Sequence, residues 1–305
     1  MTSASPTARV PRKRGPGTLP YLLSLPALLT CAGIFIPFVT ALYYSTLRYR
    51  LNLPSRKGFI WFDNYINFLT DVEFWNTVRV SLLYTALTVG IELLLGLAIA
   101  LLLQKPGRLH NLISVLLLLP LMTAPALAAL MWKLMTNPNF GILSYLVSLA
   151  GVRNFNWASD PNTALFTVVL VDVWVYTPFI MVLLVAGLRS LPRQPFEAAA
   201  LDGVPRQFVF FRITLPMLMP YIITATLFRL LDAIQQFDIV YAMTQGGPGN
   251  TLLVFQVQSY LQFYQYTNVG KSAALLVILW AVTYFLSNLF IKHWLRLRER
   301  THAAA

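Results

Sequence analysis

Residues Glu197–Pro220 read EAAALDGVPRQFVFFRITLPMLMP, a polar passage between two strongly apolar runs. Pro195-Phe196-Glu197 predicts a helix start, with a proline near the first turn and a carboxylate near the positive end of the helix dipole. Ala198, Ala199 and Ala200 leave room for another surface to approach closely. Gly203 permits backbone conformations that other residues resist, so the chain can leave at a sharp angle. Phe208, Phe211 and Leu215 then recur at spacings of three and four, which makes one apolar helical face. Arg206 and Arg212 can remain in water. Two readings fit these residues equally: an amphipathic linker lying at a membrane surface, or a docking surface for a partner.

The rest of the chain supplies the membrane. Of its 305 residues 57% are hydrophobic and 11% charged, against about 25% charged in soluble domains, and the mean hydropathy is +0.63. The formal net charge of +12 would suggest nucleic acid in a soluble protein. Here the charges flank apolar runs, so topology explains them and no nucleic-acid partner is expected. The single cysteine, Cys31, cannot form an internal disulfide or a multi-cysteine metal site. Residues 1–18, rich in Arg, Lys, Pro, Ser and Thr, are expected to be a disordered basic cytoplasmic tail. The apolar run after them is longer than a signal-peptide core and reads as a retained span.

About 20 apolar residues cross a hydrocarbon core of about 30 Å. Six segments qualify: roughly 21–47, 78–103, 111–135, 164–188, 216–242 and 269–294. Pro26, Pro37, Pro120, Pro125, Pro178 and Pro220 lie inside them and are expected to kink the helices without breaking them. With the N-terminus inside, the inner segments carry Arg9, Arg12, Lys13, Arg14, Lys105, Arg108, Arg189, Arg193, Arg206, Arg212, Lys292, Arg296, Arg298 and Arg300. The outer segments carry only Arg48, Arg50, Arg56, Lys57 and Arg153. That asymmetry predicts an all-α, six-span membrane protein (permease domain 19–295, tail 296–305) with both termini cytoplasmic. Arg48 and Arg50 run against it. The passage around Glu197 (loop 189–215) then becomes the longest cytoplasmic loop. The outer loops 48–77 and 136–163 carry Trp61, Phe62, Tyr65, Phe74, Trp75, Phe155 and Trp157, suited to a headgroup-level belt or short surface helices. The last outer loop, 243–268, is uncharged, and Gly246-Gly247-Pro248-Gly249 within it predicts irregular backbone.

The loop resembles the EAA loop of ABC-importer permeases, whose pattern is E-A-A, three residues, G, nine residues, I-x-L-P. Glu197, Ala198, Ala199, Gly203, Ile213, Leu215 and Pro216 stand at those spacings. Trp174-Val-Tyr-Thr-Pro178-Phe179, Ala186-Gly187-Leu188 and Leu191-Pro192 are similar to the approach to this loop in the MalF/UgpA-like carbohydrate branch. Phe237-Asp238 and Thr244-Gln-Gly246-Gly247-Pro248 are similar to the segment after it, and Asp63-Asn64-Tyr65 with Phe74-Trp75 to that branch's first outer loop. Lys271 departs from the pattern, which usually shows an uncharged residue there.

The resemblance implies a type I importer permease of the bacterial or archaeal plasma (inner) membrane, surrounded by lipid. It carries a sugar, oligosaccharide, polyol or glycerol phosphate and does no chemistry itself. Glu197, Ala198, Ala199, Asp202, Gly203 and Arg206 would form a coupling helix against a cytoplasmic ATPase dimer that binds the ATP and Mg; this chain would bind no cofactor. A second homologous permease and an extracellular or periplasmic substrate-binding protein would complete the assembly.

Polar residues inside the spans mark the candidate pathway, because an ionised side chain at mid-bilayer costs about 2.5–3.5 kcal/mol and should face protein or water. Counting from Pro216, Arg229 lies about 20 Å deep and Asp232 about 24 Å. Arg229, Asp232 and Gln236 fall on one helical face, Gln235 and Asp238 on a neighbouring one. Amides, carboxylates and aromatic rings such as Trp174, Phe237 and Tyr241 suit sugar hydroxyls and ring faces. The alternative for Arg229 and Asp232 is a structural pair. Glu92 and Asp172, the other buried acids, would join Arg229 or Arg79 across the bundle; in the alternative, an ion-coupled secondary transporter, Glu92, Asp172 or Asp238 would hold the proton.

Gly270-Lys271-Ser272 imitates the end of a phosphate-binding loop, but Gln265 stands where that loop needs glycine. His110, His293 and His302 lie at span edges, and no nucleophile–base set or metal-ligand spacing accompanies them.

Overall fold

The computed structural model describes residues 19–105, 107–152 and 155–303. The expected basic tail 1–18 and Arg153 lie outside the described residues. In chain order the elements are α1 (Leu19–Ser45), a hairpin of β1 (Leu47–Arg48) and β2 (Gly58–Phe59), α2 (Asp63–Thr70), α3 (Val72–Leu103), α4 (Arg108–Leu118), α5 (Pro125–Met135), α6 (Ile142–Leu149), α7 (Pro161–Ser190), α8 (Gln194–Leu201), α9 (Arg206–Val209), α10 (Leu215–Ala233), α11 (Asp238–Thr244), α12 (Phe255–Tyr264) and α13 (Val269–Ala303). The fold is helical apart from the two-residue strands, which pair antiparallel, Leu47 with Phe59 and Arg48 with Gly58.

Among the described residues five helices are long and apolar enough to cross a membrane: Leu22–Ser45, Val72–Leu103, Pro161–Ser190, Arg206–Ala233 and Val269–Lys292. The fourth runs α9 into α10 through a π-helical turn at Phe210–Thr214. Pro26, Pro37, Pro178 and Pro220 sit inside α1, α7 and α10, as expected.

The third expected span, 111–135, is not one helix. It divides into α4, a 3-10 turn at Pro120–Met122, and α5. Each half has 11 residues, about 16 Å at 1.5 Å per residue, roughly half the hydrocarbon core. Two prolines five positions apart remove two backbone donors within one stretch. Ala124, ahead of Pro125, is pushed to an extended ψ of 129°, the bias a following proline imposes.

The fifth expected span, 216–242, is also shorter. α10 stops at Ala233, and α11 begins at Asp238 after a turn. The Gln236 side-chain oxygen accepts the Phe237 N–H at 3.0 Å, the donor that a continuing helix would give to Ala233. The last expected loop is irregular at Gly246–Gly249 but contains α12. α12 buries Phe255, Val257, Gln258 and Ser259, and Ser259 and Ser272 are hydrogen-bonded through their hydroxyls at 3.0 Å, which ties α12 to α13. Short helices do form in the first two expected outer loops, α2 and α6.

α7 is the central element. Val168, Val171, Val175, Ile180 and Leu184 are buried along it. Its C-terminal half joins Ala100 of α3 and Leu218 and Ala225 of α10 in one apolar cluster. Its N-terminal half packs with Ile239, Val240, Leu252 and Val257. Gly187 marks the tightest crossing of α7 and α10: a Cβ there would stand 2.6 Å from Cγ of Tyr221, whose hydroxyl lies 2.6 Å from Ser190 Oγ. Arg189 Nη2 donates to Leu103 O at 3.2 Å, so α3 ends on the face from which α8 departs. The other end of α3, after α2, shares the opposite face with the end of α1 and the start of α13: Asn64 Nδ2 donates to Ser45 O at 2.8 Å, and Gly270 N to Tyr49 O at 3.2 Å.

Candidate functional site: a coupling segment and a buried charge cluster

The segment read first from the sequence folds as a helix with a sharp exit. α8 has a proline in its first turn and Glu197 close behind, placing a carboxylate where backbone N–H groups lack helical partners. Its end is closed by two crossed backbone bonds, Val204 N to Ala199 O at 3.0 Å and Gly203 N to Ala200 O at 3.3 Å. This is a Schellman closure, and it requires a left-handed residue after the cap. Gly203 supplies it with φ +65°, and nothing lies within 4 Å of where its Cβ would be. The glycine is therefore needed for its backbone, not for space.

Only Ala199 of α8 is buried. Glu197, Ala198, Ala200, Asp202, Gly203 and Arg206 are exposed. So is Leu201, at 90%, with Phe208 at 51% and Phe211 at 62% close behind. Large apolar side chains are thus held out beside a carboxylate on this segment. Sequence reasoning passed over Leu201. The signal was there: it is the apolar residue one position after the alanines, on a helix where only Ala199 is turned inward.

From Arg206 the chain runs through α9 into α10 and so to the second site. Arg229, 1% exposed, reaches across the bundle. Its Nε donates to Glu92 Oε2 at 2.7 Å and its Nη2 to Glu92 Oε1 at 3.0 Å. Nη2 also donates to Asp172 Oδ2, and Nη1 donates to Asp232 Oδ2 at 2.7 Å. The Tyr176 ring covers the guanidinium, with Cζ 4.0 Å from its centroid. One planar fork thus fastens α3, α7 and α10 at a single point, which a lysine ammonium could not do with the same geometry. Both acids expected to search for a base across the bundle find Arg229. Arg79 is exposed and joins neither. Three carboxylates around one guanidinium leave a formal excess of two negative charges, and Asp232 keeps 56% of its side chain exposed.

Gln236 belongs to this cluster, with Nε2 donating to Asp172 Oδ1 at 3.1 Å. It is buried and lies beyond the end of α10, so it does not continue the helical face of Arg229 and Asp232. Gln235 and Asp238 are exposed, with Gln235 turned back onto Leu231 O at 2.9 Å. Tyr241 is half-buried in an aromatic group that the sequence did not disclose. Phe237 and Tyr241 stack at 5.0 Å, Tyr260 meets both at 5.0 and 4.8 Å, and Tyr264 lies 4.5 Å from Tyr260. Tyr260 and Tyr264 come from α12, a helix not expected. Trp174, half on the surface, meets Trp132 of α5 edge-on at 5.8 Å. Among the described residues no group of three or more His, Cys, Asp or Glu is placed to hold a metal ion.

The chain is similar to known proteins over most of its length. Residues 92–300 match the family model described as binding-protein-dependent transport system inner membrane component. The trehalose/maltose transport system permease protein MalF of Thermococcus litoralis is 32% identical over 90% of this chain and 92% of its own. The sn-glycerol-3-phosphate transport system permease protein UgpA of Pectobacterium atrosepticum is 32% identical over 92% of each chain. Among solved structures, a bacterial alginate ABC transporter in complex with an alginate pentasaccharide-bound periplasmic protein contains a chain of the same fold, with a TM-score of 0.77 at 16% identity, covering 89% of this chain and 92% of that one. With that match spanning both the coupling segment and the Arg229 cluster, the chain belongs to the family of binding-protein-dependent transport system inner membrane components, the membrane permeases of ABC importers.

Proposed function

We propose that this chain forms half of the transmembrane pathway of an ABC importer for a carbohydrate or a related polyol or glycerol phosphate. One observation carries the reading. An exposed helix, α8, with Glu197 and Leu201 facing water, connects directly through α9 to α10, which ends in the Arg229 cluster. Motion at α8 is thereby transmitted along one near-continuous helix to the point where three helices are fastened, the requirement for a rocking mechanism driven from the cytoplasmic side.

In this reading α8 docks on a cytoplasmic ATPase, which binds and hydrolyses the ATP. A second permease closes the pathway. α4 and α5 together make the remaining crossing, so that both termini lie inside. Asp232, Gln235, Asp238, Tyr241 and Trp174 line the sugar path, now joined by Tyr260. An extracellular or periplasmic binding protein delivers the sugar; the alginate transporter of the same fold has such a partner. The trehalose, maltose and glycerol-phosphate systems of its relatives support the substrate class. Transport by ion coupling would need a free buried acid; Glu92 and Asp172 are both engaged by Arg229, and Asp238 is exposed.

Purification of the tagged chain in mild detergent, followed by sugar uptake in proteoliposomes, tests this. A co-purifying ATPase and uptake that stops on ATP depletion are expected. Uptake that survives ATP depletion and collapses with an uncoupler would overturn it.

A further inference from the structure

On the membrane face opposite α8, Arg48, Arg50, Arg56 and Lys271 line one cavity of about 480 Å3. Asp63 is the single carboxylate in its wall, so the cavity carries a formal excess of three positive charges. Two of these cations, Arg48 and Arg50, oppose the charge asymmetry that sets the topology, and Lys271 departs from the usual residue at its position. The transport reading uses none of them.

The three arginines are held together by backbone, not by partners, and Lys271 Nζ lies 5.9 Å from the Phe68 ring centroid. The β1–β2 hairpin fixes Arg48, and Arg50 bridges to Asn268 immediately before α13. Leu51 N donates to Thr267 O at 2.9 Å and Gly270 N to Tyr49 O at 3.2 Å. Asn64 Nδ2 closes the floor on Leu47 O at 3.0 Å. Among the described residues every ion pair belongs to Arg229, and the side chains of Arg48, Arg50 and Arg56 make neither an ion pair nor a hydrogen bond. Lys57, next in sequence, differs: its Nζ lies 4.6 Å from the Tyr49 ring and 5.2 Å from the Tyr44 ring, outside the cavity. Like charges fixed this closely repel unless an anion sits among them, and guanidinium groups fit phosphate oxygens two at a time.

Position selects the source of the anion. The cavity lies just past Ser45, where α1 ends, and at the first turn of α13, which is headgroup depth for both spans. Trp61 and Phe62, between the lining residues Ile60 and Asp63, and Tyr266, two residues before Asn268, are all exposed, as members of an interfacial aromatic belt would be. We propose that this cavity is a phosphate-binding site, filled by the phosphodiester headgroup of an anionic phospholipid in that leaflet. Arg50 and Arg56 grip the phosphate, Lys271 neutralises it from below, and the Asn67 amide is available to headgroup hydroxyls. The site stands whether or not the carbohydrate assignment does.

The test uses the purified importer assembly in nanodiscs of phosphatidylcholine, with phosphatidylglycerol or inorganic phosphate added, and reads apparent Tm and bound lipid by native mass spectrometry. Phosphatidylglycerol should bind and raise Tm for the natural chain. Affinity should fall about fivefold for each cation removed, hence roughly 25-fold for Arg50→Gln/Arg56→Gln. Lys57→Gln should bind as the natural chain does. Both arginines are exposed and unpartnered, so the variant should fold. No shift with inorganic phosphate identifies lipid as the source; an equal shift, lost in the double variant, keeps the site and assigns it to a soluble phosphate. The proposal is overturned if the double variant binds as tightly as the natural chain, or if Lys57→Gln weakens binding as much. It is also overturned if neither probe binds while the double variant loses an acidic binding protein.

Discussion

Arg229 on α10 holds both carboxylate oxygens of Glu92 on α3, at 2.7 and 3.0 Å, with both residues almost fully buried. The two are 137 positions apart in sequence. Removing the guanidinium leaves Glu92 and Asp172 without a counter-charge in an apolar bundle. Arg229→Met should therefore destabilise the chain by about 3–5 kcal/mol, the cost of an uncompensated buried charge. Adding Glu92→Gln and Asp172→Asn to it should recover most of that loss. Thermal unfolding in detergent measures both, and an Arg229→Met protein as stable as the natural chain would dismiss the cluster as the fastening point.

Leu201 separates stability from coupling. At 90% exposure it contributes little to folding, so Leu201→Asp should change stability by no more than about 0.5 kcal/mol. If α8 is the ATPase contact, the same change removes a central apolar anchor worth about 2 kcal/mol, a roughly 30-fold loss of affinity. Co-purification of the ATPase and sugar-stimulated hydrolysis should fall together while Tm stays constant.

Gly203 should respond through its backbone. With φ +65° and open space around it, Gly203→Ala meets no neighbour but must hold a left-handed conformation, at about 1–2 kcal/mol. The strain is relieved by fraying the end of α8. We expect normal membrane insertion with hydrolysis uncoupled from uptake, more severely for Gly203→Asp. Full coupling in both variants would remove α8 from the mechanism.

Gly187 should respond through space. Gly187→Ala places a methyl 2.6 Å from the Tyr221 ring and should cost roughly 1–3 kcal/mol as overpacking. Tyr221→Ala opens the same crossing. In a double-mutant cycle the pair should be less damaging than the sum of its members, and strict additivity would show that α7 and α10 do not meet there.

Tyr260 tests the aromatic group. Its rings with Phe237 and Tyr241 lie at 5.0 and 4.8 Å, and an aromatic contact contributes about 0.5–1.5 kcal/mol beyond area. Tyr260→Ala should raise the half-saturating sugar concentration for uptake by about two- to tenfold, with ATPase co-purification unchanged. An equal loss of ATPase binding would make the effect structural.

The sequence by itself determined the class of the protein and the coupling segment. Apolar run length and basic asymmetry depend only on local composition. The Glu197–Pro216 pattern is a short-range motif whose cap, turn and helix all form within 20 residues. The exposure of α8 and the left-handed Gly203 followed from neighbours in the chain. Tertiary structure decided the rest. Proline tolerance is not local: Pro178 and Pro220 remain inside helices, while Pro120 and Pro125 divide a span, because what counts is which partners the freed carbonyls find. Span five ends early because Gln236 turns to Asp172, 64 positions away. The union of Glu92, Asp172 and Arg229 and the meeting of Tyr241 with Tyr260 depend on helices brought together across the bundle. So does the gathering of Arg48, Arg50 and Arg56 with Lys271. Periodicity places a side chain on a face of its own helix, and only packing says which other face it meets.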